Sequence, residues 1–307
     1  MAALSLSRMR LSRLSSNERR QLAIGLLFVS PWIVGFFLWT LFPLVSSFYF
    51  SLTRYNLLRP PEFIGFRNYE LLFQNSDFHL VLQNTLWWVV LSAPLGVLSA
   101  FLIANLLNTK IAGRPFFRAI FFFPSIVPAV VIAFVWQFLL NQQYGAFNSV
   151  LKGWGLQAIP FLSNPDWVKP TIIGVHMWAQ GGAMVIFLAA LQDVPRELYE
   201  AATVDGASGW NKFRHITIPM TSPVILFNLV LAIINSFQTF ELPWLLTNQG
   251  GPNRATLFYN VHLFQIAFIE SNMGKASSMA WLLFVVIILF TVGLFRATGR
   301  FVYYGGR

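Results

Sequence analysis

The four histidines, His79, His176, His215 and His262, are the first residues to test for catalytic or metal chemistry. They are scattered, and none stands in an H-E-x-x-H or other metal-ligand spacing, so metal-assisted hydrolysis has no visible site. Cysteine is absent, which excludes disulfides, thiolate nucleophiles and cysteine-held zinc or iron–sulfur centres. Gly153-Trp-Gly155-Leu-Gln-Ala158 has the glycine skeleton of a dinucleotide loop but no strand-to-helix setting. Gly274-Lys275-Ala276 ends like a phosphate loop, yet Ala276 stands where the magnesium-holding hydroxyl belongs and the upstream glycine is missing. No catalytic residue, metal ligand or cofactor is therefore assigned to this chain. If ATP drives it, a partner hydrolyses the nucleotide.

One polar run reads as a folded lever. It extends from Gln192 through Pro195, Glu197, Leu198, Glu200, Ala201, Ala202, Asp205, Gly206, Ser208, Trp210 and Phe213 to Pro219. Pro195 suits the first turn of a helix, Glu197 and Glu200 lie near its positive end, and Gly206 can adopt the left-handed conformation that stops it. Ser208 then caps a second short helix. Leu198, Ala201 and Ala202 fall on one side of the first helix, where paired alanines permit close approach of another surface; Trp210 and Phe213 give the second an apolar edge. Two readings are open on these residues alone: a rigid element on which a partner pushes, or an amphipathic loop lying on lipid headgroups.

The elements that hold this run are set by composition. Of 307 residues, 56% are hydrophobic and only 10% charged, against about 25% charged in ordinary soluble domains. Crossing a hydrocarbon core takes about 20 mainly apolar residues. Stretches of that length lie near Leu22–Phe50, Thr85–Leu107, Ile120–Leu140, Thr171–Leu191, Val224–Leu246 and Ala276–Phe295. The expected fold is an all-α polytopic membrane bundle of six transmembrane helices. Its parts are a basic arm (1–21), the transmembrane domain (22–300, with the polar loop at 192–222) and a tail (301–307).

The net charge of +10 flanks the apolar segments, so it bears on membrane topology, and no nucleic-acid partner is expected. With the N-terminus inside, fourteen Lys and Arg fall in the inner segments, including Arg8, Arg10, Arg13, Arg19, Arg20, Lys110, Arg296, Arg300 and Arg307, and seven fall outside. That bias predicts cytoplasmic termini. The first apolar stretch far exceeds a cleavable signal's core, so an uncleaved anchor is expected. No internal repeat is visible, which disfavours transporters built from duplicated halves.

Polar groups inside spans are costly and normally face a partner or a cavity. At helical spacing, Asn228, Asn235 and Thr239 fall within roughly 40° of one another and Gln238 about 60° from Asn235. Two roles stand open for this stripe: amides that pair with sugar hydroxyls, with Phe237, Phe240 or Trp244 stacking on a sugar face, or packing bonds between helices. The same pair of roles applies to Gln180 beside Gly181 and Gly182. Glu241 contacts solute, gates the route, or reaches the interface and hydrates. Trp87, Trp88 and Trp167 read as interface anchors.

Glu200-Ala-Ala-x-x-Asp205-Gly206-Ala, followed by Phe213, Ile216 and Pro219, resembles the EAA signature of permease subunits of binding-protein-dependent ABC importers. Pro31-Trp-Ile-Val-Gly35, Pro43, Tyr55-Asn56, Phe63-Ile-Gly65, Asn68-Tyr69, Asn84-Thr85, Phe116-Phe-Arg118 and Gly250-Gly251-Pro252 are similar to the carbohydrate branch of that family, of the maltose, lactose and glycerol-3-phosphate type. The resemblance implies a five-helix core with an extra first helix in the plasma (inner) membrane. It also implies a second, non-identical permease, two cytoplasmic ATPase domains that bind MgATP, and an extracytoplasmic solute-binding protein. The coupling helix would carry Glu200, Ala201, Ala202, Asp205 and Gly206, and the outside loops at 51–83, 141–170 and 248–275 would meet the binding protein. An ion-gradient-driven secondary transporter is the alternative function. It would need intramembrane acid or base relays, for which only Glu241 and His176 are at hand.

Overall fold

The computed structural model describes residues 15–109 and 112–298. Arg8, Arg10, Arg13, Lys110, Arg300 and Arg307 of the orientation tally, and the 301–307 tail, lie outside the described residues. Among those described, four helices are long and apolar enough to cross a membrane, and six spans result when each of two bent pairs counts as one. The expected all-helical bundle of six is the observed architecture.

Helix α1 (Ser16–Ser51) begins inside the expected basic arm, because Ser15 and Glu18 form a reciprocal capping box. At 36 residues it is about 54 Å long by helical rise, well beyond the roughly 30 Å of hydrocarbon. Its second half meets the rest of the chain: Trp281 Nε1 donates to Ser47 Oγ at 3.2 Å, and Phe48 packs edge-on against the Trp281 ring. A two-residue antiparallel ladder, β1 (Thr53–Arg54) with β2 (Glu62–Phe63), and α2 (Arg67–Gln74) follow. Asn68 Nδ2 closes this segment by donating to the carbonyls of Ser51 and Thr53.

Helix α3 (Ser76–Asn108) is the axis of the bundle. Small residues at helical spacing, Ala93, Gly96, Ala100 and Ala104, let neighbouring backbones come close. The expected third span is not one straight helix. It is α4 (Arg114–Phe122), a tight turn, and α5 (Ala129–Leu139), bent by 100°. Pro124 and Pro128 remove backbone donors, and Pro128 itself has extended backbone (φ −56°, ψ 139°), which explains the break. After α6 (Ala146–Gly153) the fourth span is also broken, into α7 (Pro165–Trp178) and α8 (Gly181–Gln192), by 48°. Gly181 sits where a Cβ would lie 2.6 Å from the Phe121 carbonyl oxygen, so α8 crosses α4 at a distance that only glycine permits.

Beyond α9 (Arg196–Val204), helix α10 (Gly209–Phe237) runs for 29 residues. Its turn at Phe213–Thr217 is widened to π geometry, as expected where Pro219 cannot donate to the residue four before it and its ring crowds that carbonyl. The expected fifth span, Val224–Leu246, is thus displaced: α10 ends at Phe237, and α11 (Glu241–Leu246) is a separate short helix. Helices α12 (Tyr259–Phe264) and α13 (Met273–Thr298) complete the chain.

Two buried clusters fill the interior. One surrounds Phe101, Ala104, Phe187 and Leu191, at the end of the bundle that carries the 193–208 turn. The other surrounds Trp88, Phe258 and Tyr259, toward the opposite, loop-bearing end. There α3 is latched to the 254–259 segment. Asn84 Nδ2 donates to the Arg254 carbonyl at 3.0 Å, Thr85 Oγ1 accepts the Tyr259 amide at 2.8 Å, and Arg254 pairs with Asp77 at 2.8 Å.

Candidate coupling turn and solute path

The 193–217 segment is built as a locked turn. Pro195 occupies the N-cap of α9 and not its first turn, with extended backbone (φ −57°, ψ 129°). Gly206, at φ +74°, ends the helix: its amide donates to the Thr203 carbonyl, and that of Ala207 to Ala202 at 2.8 Å. This is the paired C-terminal bonding that satisfies orphan carbonyls. Ser208 Oγ then accepts the Asn211 amide and starts α10. The expected second short helix is therefore the first turn of the fifth span itself.

Side chains tie the two arms together. Lys212 Nζ donates to Thr203 Oγ1 at 2.8 Å, Thr203 Oγ1 donates to the Tyr199 carbonyl, and the Tyr199 and Thr217 hydroxyls lie 2.9 Å apart. Trp210 stacks on Phe213, and Phe213 leans on Phe101 of α3. Movement of this turn must reach α8, α10 and α3 together.

The outward face is apolar at its tip and acidic beside it. Val204 is 89% exposed, Trp210 66% and Leu198 40%. Glu200, Ala201, Asp205 and Gly206 are exposed as well. Ala202 is half-buried, turned with Tyr199 toward its own chain, so the single face expected for Leu198, Ala201 and Ala202 is divided. Among the described residues Glu200 and Asp205 make no ion pair. Space around Gly206 is open, with nothing within 4 Å of a Cβ placed there.

The expected polar stripe is split by the structure. Asn228 is buried and donates to the Val224 carbonyl at 2.9 Å, a bond within its own helix. Thr239, past the end of α10, accepts from Trp88 Nε1 at 3.0 Å and donates to the Asn235 carbonyl. Gln180, at the α7–α8 bend, contacts His176 Nε2 at 3.0 Å and packs against Gly96 of α3. These three side chains bind protein to protein. Asn235, Gln238 and Glu241 are exposed together where α10 gives way to α11, and Glu241 makes no ion pair among the described residues.

Phe237 is buried at 1% exposure and cannot stack on solute. Phe240 and Trp244 stack on each other, and Phe264 meets the first ring at a tilt and the second edge-on. Trp88, expected as an interface anchor, is fully buried between Phe258 and His176. Trp167 is 44% exposed, and Trp87 carries the Lys169 ammonium 5.1 Å from its ring centre. The latch of Asn84 onto the 254–257 backbone and of Asp77 onto the Arg254 guanidinium carries no local sequence signal, since its partners are some 170 residues apart.

Comparison with known proteins follows the same outline. The chain is 36% identical to the probable ABC transporter permease protein YesP of Bacillus subtilis, over 94% of this chain and 95% of that one. It is 31% identical to the trehalose/maltose transport system permease protein MalF of Thermococcus litoralis, over 94% and 97%. In fold it is similar to a chain of the crystal structure of a bacterial alginate ABC transporter in complex with an alginate pentasaccharide-bound periplasmic protein. The TM-score is 0.83 at 23% identity, covering 94% of this chain and 98% of that chain. Residues 92–303 match the model of the binding-protein-dependent transport system inner membrane component. By that family match and by its relatives, this chain belongs to the family of binding-protein-dependent transport system inner membrane components.

Proposed function

We propose that this chain is one of two non-identical permeases of an ATP-driven importer that moves carbohydrate inward by alternating access, with both termini cytoplasmic. The observation that carries the reading is the 193–217 turn, a stiff, apolar-tipped element continuous with α10 and bonded to α9. Two cytoplasmic ATPase domains hold MgATP, and their closure draws the turns of the two permeases together. Glu200 and Asp205 meet basic or amide groups of the ATPase cleft, Ala201 allows close approach, and Ala202 and Gly206 set the bend. Closure opens the bundle to a loaded extracytoplasmic binding protein, and hydrolysis resets it. Asn235, Gln238 and Glu241 form the solute-facing set. The carbohydrate class is supported by the trehalose/maltose name of one relative, and the binding protein by the periplasmic protein bound in the alginate importer.

The test is to extract the tagged chain mildly from its native membrane and measure MgATP hydrolysis in the purified fraction. Hydrolysis should accompany the unmodified chain and be lost with Val204→Glu, which places a charge at the apolar tip without touching the spans. A folded chain that never brings ATPase activity with it would sink the reading.

A further inference from the structure

An open cleft of about 1000 Å³ lies at the loop-bearing end, between the C-terminal end of α5, residues 141–144, residues 161–163 and the 246–252 segment. We propose that it is an outer subsite for an uncharged saccharide, which narrows the solute to neutral sugars and excludes uronic acids and polyol phosphates. This rests on the import reading above. Its size is at the upper end of the roughly 300–1,000 Å³ of ligand clefts.

The chemistry of the lining decides the class. Gln142, Gln143, Asn248 and Ser163 supply exposed amides and a hydroxyl, and Tyr144 and Phe161 supply rings. Among the described residues, no Asp, Glu, Lys, Arg or His lines the cleft. Amides donate and accept at once, which matches hydroxyl groups, and an aromatic face carries the apolar side of a sugar ring. A carboxylate or phosphate leaving water would need a cation to offset its desolvation. Arg254 on the adjoining segment is paired with Asp77, and the exposed Lys152, which stands outside the lining, donates from Nζ to the Gln143 backbone carbonyl at 3.1 Å.

The walls are fixed before any ligand arrives. Gln137 Nε2 donates to the Leu245 carbonyl at 2.6 Å, and Asn141 Oδ1 accepts the amides of Gln143 and Tyr144. On the facing lip Asn248, Gln249, Gly250, Gly251, Asn253 and Arg254 all have positive φ. In the four that are not glycine, Asn248, Gln249, Asn253 and Arg254, left-handed backbone holds strain of the kind that clusters at ligand clamps. Leu246, on the rim of the cleft, ends α11, and Glu241, five residues earlier, lies roughly 8 Å along that helix by its rise. An exposed carboxylate at that distance repels an anion and leaves a neutral sugar unaffected.

The experiment uses the purified complex in nanodiscs and titrates maltotriose, arabinotriose and trigalacturonate, with ATP-driven uptake of the same three followed in proteoliposomes. Saturable binding of a neutral trisaccharide and none of trigalacturonate is expected. Tyr144→Ala should weaken that binding about fivefold while Tyr144→Phe leaves it near the unmodified value. Gln143→Lys should confer trigalacturonate binding, a gain of about tenfold that a merely structural role does not produce. Trigalacturonate bound by the unmodified complex as tightly as the neutral sugars overturns the proposal. So does ATP-driven uptake of a neutral sugar whose half-saturation is unchanged in Tyr144→Ala and Gln142→Ala, an outcome that leaves the import reading standing. Absence of MgATP hydrolysis in the purified complex removes the import reading, and the subsite with it; absence of binding of both neutral sugars by a complex that does hydrolyse ATP overturns the subsite alone.

Discussion

The Lys212 ammonium donates to the Thr203 hydroxyl at 2.8 Å, across the point where the chain reverses between α9 and the fifth span. Thr203 is engaged in turn with the Tyr199 carbonyl, so one hydroxyl joins both arms of the turn. A charged donor to a neutral acceptor contributes about 1.5–3 kcal/mol when shielded, and less here because Thr203 is exposed. Its importance lies in stiffness. Lys212→Met should leave the chain folded while lowering the solute carried per phosphate released by several-fold. Uptake and phosphate release measured on the same proteoliposomes give that ratio, and an unchanged ratio would show that the bridge transmits nothing.

Gly206 tests conformation separately from space. At φ +74° with nothing near its Cβ position, any residue fits sterically against neighbours but must bear a left-handed backbone. That costs about 1–2 kcal/mol for most side chains and less for Asn. Gly206→Asn should therefore retain most ATPase stimulation and Gly206→Val should lose most of it. Equal loss in both would mean that bulk at the tip, and not backbone shape, is what matters.

Gly181 and Gly182 make an opposite pair. A methyl on Gly181 lies 2.6 Å from the Phe121 carbonyl oxygen and 2.9 Å from Phe122 Cα, whereas one on Gly182 meets nothing within 4 Å. Gly181→Ala should destabilise by about 1–3 kcal/mol as overpacking does, seen as a lower melting temperature in detergent. Gly182→Ala should be silent, and equal melting temperatures for the two variants would refute the close crossing of α8 over α4.

At the loop-bearing end, Asn84 holds the 254–257 backbone and accepts from Lys169 Nζ at 3.0 Å. Asn84→Ala leaves those groups unpaired, at a cost of about 1–3 kcal/mol. The Arg254–Asp77 pair, half-exposed on both sides, contributes no more than about 1 kcal/mol. Limited proteolysis of the 248–258 segment should accelerate strongly in Asn84→Ala and only slightly in Arg254→Gln. The reverse order would place the latch in the ion pair.

Much of this molecule is written locally. Apolar runs near span length, Ser208 as a cap and Gly206 as a helix stop were each legible, since a helix and its ends depend on residues within a turn or two. Boundaries failed where a break is shared among several residues. Pro124 and Pro128 together turn the third span by 100°, and the polar run after Phe237 ends the fifth helix before Thr239 can join the Asn235 face.

By itself the sequence determined a membrane bundle and the residues of its protruding turn, because chain hydrophobicity and capping chemistry need no distant partner. Only tertiary structure decided which polar side chains are spent inside and which remain open. Asn228, Thr239 and Gln180 are occupied by Val224, Trp88 and His176, whereas Asn235, Gln238 and Glu241 stay exposed. Helical periodicity fixes the angle of a side chain about its axis. What stands opposite that angle, whether a tryptophan from another span or open space, is set by how the spans pack.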